Sequence, residues 1–170
     1  MELTDGALLL RPPAPSDLPA VVAVFGDPDI VRFISGVPVP YELAHAEAWL
    51  ESVTARMDAG EEQTFAIVER TTGRLLGMIA VRLHEGGSLG YWLAPAARGR
   101  GVMTQAVRAV VGWARAERGI GRLTLTTHPA NEASQRVAER AGFVRVGTLE
   151  HEEPAYRDGT TRRALFELVP

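Results

Sequence analysis

The stretch LGYWLAPAARGRGVMTQAV, residues 89–107, changes from an extended pattern to a helical one at its centre. It begins apolar, passes a proline, and runs through the turn RGRG, residues 98–101, into apolar residues at helical spacing. Backbone N–H groups at the start of a helix form an anion site, and glycines let a phosphate approach them closely. Arginines add charge and donors that grip phosphate. The stretch therefore favours a strand, a phosphate-binding turn and a helix; a flexible loop with solvated arginines is the alternative.

The composition limits the kinds of protein that this chain can be. With 170 residues, of which 46% are hydrophobic, residues 1–170 are expected to form one domain with a substantial core. The net charge of −3 and the lack of a basic block argue against a nucleic-acid partner. No apolar run reaches the length of about 18 residues that a membrane helix needs. The N-terminus also lacks a signal-peptide pattern, so we expect no membrane partner and a cytoplasmic location.

The chain contains no cysteine. This excludes disulfides, thiolate metal sites and an acyl-enzyme formed on a cysteine thiol. The four histidines are scattered and match no metal-binding spacing, so the sequence predicts no metal site.

The hydrophobic pattern alternates between periods of two and of 3.6 residues along the chain. Strands are predicted at 7–13, 64–70, 75–83, 88–94, 122–127, 143–150 and 163–169. Helices are predicted at 18–27, at 41–60, from about 101 to 118, and at 131–142, with an irregular connection at 29–40. The order β-α-α-β-β-β-α-β-α-β-β favours one mixed α/β domain.

Four parts of the sequence, which occur along the chain in the order that the fold requires, resemble the GCN5-related N-acetyltransferases (GNATs). The RGRGVM segment, residues 98–103, resembles the family's pyrophosphate loop, Gln/Arg-x-x-Gly-x-Gly/Ala, although Met103 stands where the family has a small residue. LLLRPPAPSDLPAV at 8–21 resembles the opening strand and helix, and HPANEASQRVAERAGFVRVGTLE at 128–150 the closing helix and strand. GYWLAP and GVMTQA resemble the branch that acetylates the N-termini of ribosomal proteins. The resemblance implies a central, mixed but mostly antiparallel twisted sheet of about seven strands flanked by helices.

The resemblance also implies a cosubstrate, acetyl-CoA, and a set of residues that hold it. In the family, the strand at 88–94 splays from the strand at 122–127, and the pantetheine arm lies between them. A backbone N–H near Trp92 or Leu93 would then polarise the acetyl carbonyl, and the Asn131 side chain would bind pantetheine. Ser134 would protonate the leaving thiolate. The residues expected to hold the pyrophosphate are Arg98, Gly99, Arg100, Gly101, Val102 and Met103.

The general base is less clearly indicated. Many relatives have a carboxylate just before the GYW strand, where this chain has Ser88 and Leu89. Glu153 falls where the resembled branch has a carboxylate that acts on the amine, and is therefore the expected base. Its neighbours Glu150, His151 and Glu152, and also Glu85, are further candidates, and a solvated acidic loop is the alternative.

The expected reaction is direct transfer of acetyl from acetyl-CoA to a primary amine in a ternary complex, since no cysteine can carry the acetyl group. A protein N-terminal α-amine is the expected acceptor. A small amine, such as an antibiotic or polyamine, and a non-catalytic acyl-CoA-binding module are the alternatives. The acceptor pocket should be formed by residues 29–40, the helix from about Tyr41, and residues 150–159. A monomer and a homodimer are equally compatible with the sequence.

Overall fold

The computed structural model describes residues 1–83, 86–150 and 154–169. In these residues one sheet contains eight strands in the order β1-β2-β3-β4-β5-β6-β8-β7. The strands are β1 (Leu3–Asp5), β2 (Leu8–Arg11), β3 (Glu62–Glu69), β4 (Leu75–Arg82), β5 (Ser88–Leu93), β6 (Leu123–Thr127), β7 (Val144–Glu150) and β8 (Arg162–Leu168). The helices are α1 (Leu18–Phe25), α2 (Pro28–Val31), α3 (Leu43–Asp58), α4 (Val102–Arg118) and α5 (Glu132–Arg140), with single 3₁₀ turns at Pro15–Asp17 and Pro95–Ala97.

The sheet is antiparallel at every pairing except that of β5 with β6, which is parallel. The parallel pairing is short and joins only Ser88 with Thr124 and Leu89 with Leu125. Beyond that point β5 and β6 continue without pairing to each other, so the sheet opens between them. The expected splay of these strands and the mixed, mostly antiparallel sheet are confirmed.

Two helical layers cover the sheet, one on each face. Successive residues of a strand point to opposite faces of the sheet, and the central strand β3 shows this pattern. Phe65 and Ile67 pack in a core with α4 and α5, whereas Ala66 and Val68 pack in a second core with α1, α2 and α3. Almost every residue of β3 is buried, as expected for a central strand with both faces covered.

Two elements differ from the sequence prediction. Strand β1 is an eighth strand that the pattern does not reveal, because three residues are too short for a period of two to be visible. The connection predicted at 29–40 contains part of a short helix, α2, in which the Asp27 carboxylate accepts a hydrogen bond from the Asp29 N–H and Pro28 occupies the first turn. The other predicted strands and helices are present, with ends that differ by a few residues. No helix in the described residues is both long and apolar enough to span a bilayer.

The close approach of β4 and β5 generates a first prediction. A Cβ on Gly77 would overlap the Trp92 carbonyl oxygen and lie 3.1 Å from the Leu93 Cα, which are both backbone atoms of β5. We therefore expect Gly77→Ala to lower the free energy of unfolding by about 1–3 kcal/mol, as overpacking does. Gly112 in α4 is the control, because a Cβ there meets nothing within 4 Å. Gly112→Ala should stabilise the protein by up to about 1 kcal/mol through helix propensity. Urea unfolding of both variants tests this; a Gly77→Ala protein as stable as the parent would contradict it.

Candidate functional site

The opening between β5 and β6 is the centre of the candidate site. Because the two strands are parallel, their carboxyl ends lie at the same edge of the sheet, and a helix begins after each of them. The N-terminus of α4 follows β5 through the turn at 98–101, and the N-terminus of α5 follows β6. Two helix N-termini, each with unpaired N–H groups and a positive dipole end, therefore lie at the open end of the cleft.

The turn at the start of α4 has the backbone that its glycines suggest. Gly99 and Gly101 have φ of 74° and 75°, a left-handed conformation that side chains disfavour, and open space lies where their Cβ atoms would stand. Within the described residues, the N–H groups from Gly99 to Thr104 donate to no backbone carbonyl. This run of free donors can hold an anion such as a pyrophosphate.

The side chains around this turn divide into two groups. Arg98 and Arg100 are exposed, and the Arg100 guanidinium lies 3.8 Å from a carboxylate oxygen of Glu69. Val102 and Met103 are turned into the core, with 6% and 3% of their surface exposed. These two residues can therefore reach a ligand only through their backbone N–H groups, and the long side chain of Met103 does not obstruct the turn.

A cavity of about 460 Å³ adjoins the turn at its Gly101 side. Its residues come from β1, α4 and the end of α5, and two of them are cationic. They are Asp5, Gly101, Thr104, Gln105, Arg108 and Arg140. The cavity offers room and positive charge directly beside the free N–H groups.

The start of α5 contains two of the predicted site residues. Asn131 is its N-cap, and the Asn131 Oδ1 accepts a hydrogen bond from the Ser134 N–H at 3.1 Å. Ser134 lies one turn into the helix, and its Oγ is 3.0 Å from the hydroxyl of Tyr91. The capping role expected for Asn131 is confirmed, and the Ser134 hydroxyl is brought to the edge of the cleft.

Tyr91 is a residue whose contact the sequence does not reveal. It lies on β5 and reaches across the opening, and its hydroxyl also lies 3.1 Å from the Ser134 carbonyl oxygen. Burial raises the pKa of Tyr91 to about 12, although the hydrogen bond with Ser134 opposes this shift. The phenol is therefore protonated at neutral pH and can donate a hydrogen bond. Trp92, the next residue, points to the other face and packs edge-on against Phe25 at 5.5 Å.

Two of the segments predicted to form the acceptor pocket, 29–40 and the described part of 150–159, are linked in the structure, whereas Tyr41 packs against Phe25. The rings of Phe33 and His128 are 5.3 Å apart, and those of His128 and Tyr156 are 4.6 Å apart. The Arg157 guanidinium donates to the Val37 carbonyl oxygen at 2.8 Å. Residues that are distant in the sequence thus form one aromatic wall.

Arg163 of β8 adds a second tie between these segments. Its guanidinium donates to the Ser35 hydroxyl at 3.0 Å and to the Pro154 carbonyl at 3.2 Å, and it lies over the Tyr156 ring. Hydrogen bonds from Arg157 and Arg163 therefore hold the two segments together, and the guanidinium groups give the wall positive charge.

His128 joins the aromatic wall to the start of α5. Its Nδ1 accepts a hydrogen bond from the Ala130 N–H at 3.0 Å, so the proton of the neutral ring is on Nε2. Nε2 lies 3.0 Å from an Asp158 carboxylate oxygen and donates to it. The prediction that His128 shapes the turn into the helix is confirmed.

Of the candidates for the general base, only Glu150 lies among the described residues. Glu150 lies at the end of β7, is exposed, and is paired with Arg162 at 3.2 Å. Glu153, the expected base, lies outside the described residues, as do Glu85, His151 and Glu152. No group of three or more metal-ligating side chains is found in the described part of the chain.

The hydrogen bonds to the Asp158 carboxylate generate a prediction about the stability of the folded protein at low pH. The Thr160 N–H and the His128 ring both donate to this carboxylate and hold its pKa below the ordinary 3.8. A lowered pKa in the folded state stabilises the protein above the ordinary pKa, and this stabilisation is lost as the pH falls through the folded value. We expect Asp158→Asn to be less stable than the parent at pH 6 and to approach it below about pH 4. Urea unfolding from pH 6 down to about pH 2 measures the difference; a difference that stays the same over this whole range would contradict the prediction.

Known proteins share sequence features and the fold of this chain. The family model described as "Acetyltransferase (GNAT) domain" matches residues 7–144. Among curated proteins, the chain is 37% identical over 97 residues to "Probable N-acetyltransferase YjcK" of Bacillus subtilis. The match covers 54% of the chain and 54% of that relative, so the chain spans about half the length of YjcK.

Solved structures of the same fold cover almost the whole chain. The ribosomal-protein-S5-alanine acetyltransferase of Vibrio fischeri superposes with a TM-score of 0.84 at 17% identity, over 99% of this chain and 96% of that one. RimL, a ribosomal L7/L12 α-N-protein acetyltransferase solved with coenzyme A, superposes with a TM-score of 0.86 at 17% identity, over 99% and 98% of the chains. The resemblance drawn from the RGRGVM turn and the Asn131–Ser134 pair is confirmed. With the family model matching residues 7–144, the chain belongs to the GNAT acetyltransferase family.

Proposed function

We propose that the protein transfers an acetyl group from acetyl-CoA to a primary amine, and that the amine is the N-terminal α-amine of a protein. The observation that carries this proposal is the cleft between β5 and β6, which has free N–H groups at its mouth and the Ser134 hydroxyl at its edge. The family membership supports the acetyl donor, and the likeness in fold to ribosomal-protein acetyltransferases motivates the choice of acceptor.

The proposed position of acetyl-CoA follows from the shape of the cleft. The pantetheine arm lies between β5 and β6, where it takes the place of the missing strand pairing. The pyrophosphate lies over residues 98–103, where the N–H groups of Gly99 to Met103 and the side chains of Arg98 and Arg100 surround it. The cavity beside Gly101, with Arg108 and Arg140 in its lining, has room for the nucleotide end.

The proposed reaction is a direct displacement at the thioester carbonyl. The amine nitrogen attacks the carbonyl carbon, and a backbone N–H near Trp92 or Leu93 stabilises the oxyanion. The carbon–sulfur bond then breaks, the electron pair goes to sulfur, and Ser134 supplies the proton that makes the thiol. The attacking nitrogen loses one proton to a base, for which Glu153 remains the candidate. The products are the N-acetylated amine and coenzyme A.

The acceptor amine approaches from the α1–α3 side. Gly90 on β5 is exposed, and a Cβ there would meet nothing within 4 Å, so the sheet is open at this point. The aromatic wall of Phe33, His128 and Tyr156 is the proposed boundary of the acceptor site. An extended N-terminal peptide suits a site that is open on one side and bounded by a wall on the other.

Release of free thiol from acetyl-CoA tests the activity and the acceptor together. The panel contains peptides that differ in their N-terminal residue, the same peptides with a blocked α-amine, polyamines and aminoglycosides. We expect turnover with free N-terminal peptides and none with the blocked ones, with acetylation on the α-nitrogen by fragmentation mass spectrometry. Turnover of polyamines or aminoglycosides alone would replace the proposed acceptor. Tight binding of acetyl-CoA with no turnover would indicate a binding module.

Initial rates measured with both substrates varied distinguish direct transfer from an acetylated enzyme. We expect intersecting lines in a double-reciprocal plot and no added acetyl mass on the protein, because the chain has no cysteine to carry the group. Parallel lines together with a trapped acetyl-enzyme would contradict direct transfer.

Replacing Gly101 tests the proposed pyrophosphate position. Gly101 and Gly119 bound α4 at its two ends, have φ of 75° and 65°, and both face open space at the Cβ position. Alanine at either position costs a similar strain of roughly 1–2 kcal/mol. Only at Gly101 would the new methyl group occupy the place proposed for the phosphate. We expect Gly101→Ala to weaken coenzyme A binding about ten-fold or more, which is about 1.4 kcal/mol.

Calorimetry with coenzyme A measures this effect, and Gly119→Ala is the matched control. The control should lose comparable stability and keep the parent's affinity. Equal affinities in the two folded variants would remove the turn from the binding site.

A further inference from the structure

The side chain of Tyr91 joins the two sides of the cleft. Its ring packs against the core beneath α4, and its hydroxyl lies 3.0 Å from the Ser134 Oγ and 3.1 Å from the Ser134 carbonyl oxygen. Phenylalanine would fill the same space, so packing alone does not call for a phenol. A largely buried hydroxyl is costly unless it is hydrogen-bonded, and here its partner is the residue proposed to protonate the thiolate.

The two hydroxyl groups have two protons to distribute, and two arrangements satisfy the distances. In the first, Tyr91 donates to the Ser134 carbonyl and the Ser134 hydroxyl donates to the Tyr91 oxygen. In the second, Tyr91 donates to the Ser134 Oγ, which leaves the serine proton without an acceptor among the described residues and able to point into the cleft. Rotation of both hydroxyl groups interconverts them. Only the second arrangement prepares Ser134 to act as an acid.

We propose that Tyr91 is a positioning residue for the departure of the thiolate: its hydroxyl donates to the Ser134 Oγ and thereby directs the Ser134 proton to the sulfur. This inference rests on the proposed acetyl transfer. As the carbon–sulfur bond breaks, its electron pair goes to sulfur and the Ser134 proton forms the S–H bond. The proton that the attacking nitrogen gives up to the base returns to the serine oxygen through water, so the net change remains amine plus thioester to amide plus thiol.

Tyr91 keeps its own proton throughout this cycle. In this arrangement the Tyr91 proton is directed to the Ser134 Oγ and not to the sulfur, so Tyr91 does not serve as the final acid. Its hydrogen bond instead stabilises the negative charge that grows on the serine oxygen during proton transfer. Tyr91 therefore acts through Ser134 and not on the substrate.

A double-mutant cycle of Tyr91→Phe and Ser134→Ala tests the inference. We expect Tyr91→Phe to lower kcat about ten-fold and Ser134→Ala about 100-fold, in each case with little change in KM for acetyl-CoA. Adding Tyr91→Phe to Ser134→Ala should have no further effect on kcat, since the phenol acts only through the serine. Thermal unfolding of each variant checks that the fold is retained.

A second measurement does not depend on turnover. The chain has three tyrosines, so protein labelled with ¹³C at the tyrosine ring carbon bonded to oxygen should give three resolvable signals. Ser134→Ala should shift the Tyr91 signal, assigned from its absence in Tyr91→Phe, and leave the signals of Tyr41 and Tyr156 in place. This establishes whether the two hydroxyls are bonded in solution.

The possible outcomes separate this inference from the proposed function. Non-additive losses of kcat together with the specific shift support the role of Tyr91. An unchanged kcat in Tyr91→Phe, losses that add in the double variant, or an unmoved Tyr91 signal overturn it, while acetyl transfer by the parent protein leaves the proposed function standing. If the parent transfers acetyl to no amine of the panel, the proposed function fails, and the role of Tyr91 fails with it.

Discussion

The arrangement of the whole site depends on how early the parallel pairing of β5 and β6 ends. Two residue pairs hold the strands together, and beyond Leu89 and Leu125 each strand runs on with a free edge. The opposite edges of the same strands are paired along their full length, β5 with β4 and β6 with β8. The cleft is therefore held open by the rest of the sheet, and a ligand does not have to break a hydrogen-bonded ladder in order to enter it.

The same constraint explains why the chemical groups lie where they do. Parallel strands bring the starts of α4 and α5 to one edge, so an anion-binding turn and a capped helix carrying Ser134 face the same space. Successive side chains of β5 point to opposite faces: Tyr91 reaches Ser134 on one side, and Trp92 packs against Phe25 on the other. One short strand thus separates the α4–α5 side of the cleft from the α1–α3 side.

The sequence predicts those parts of the site that arise from local chemistry. The glycines at 99 and 101 and the cap at Asn131 are visible because backbone conformation and capping are encoded within a few residues. The bond between Tyr91 and Ser134 is not visible, because the two residues are 43 positions apart and a tyrosine in a strand ordinarily indicates packing. Strand β1 escapes prediction for a different reason, since its three residues carry too little pattern. The expected base, Glu153, stays a prediction because it lies outside the described residues.

The hydrogen bonds of Arg157 and Arg163 across the aromatic wall have a consequence for changing the proposed acceptor site. Arg157 holds the Val37 carbonyl across 120 residues of chain, and Arg163 holds Ser35 across 128. These hydrogen bonds hold together residues of the wall that come from both halves of the sequence. A loop transplanted alone from a relative would lack its partner for these hydrogen bonds. At the proposed acceptor site, we therefore expect paired changes in both segments, or single side-chain changes that keep the bonds, to be tolerated better than a loop exchange.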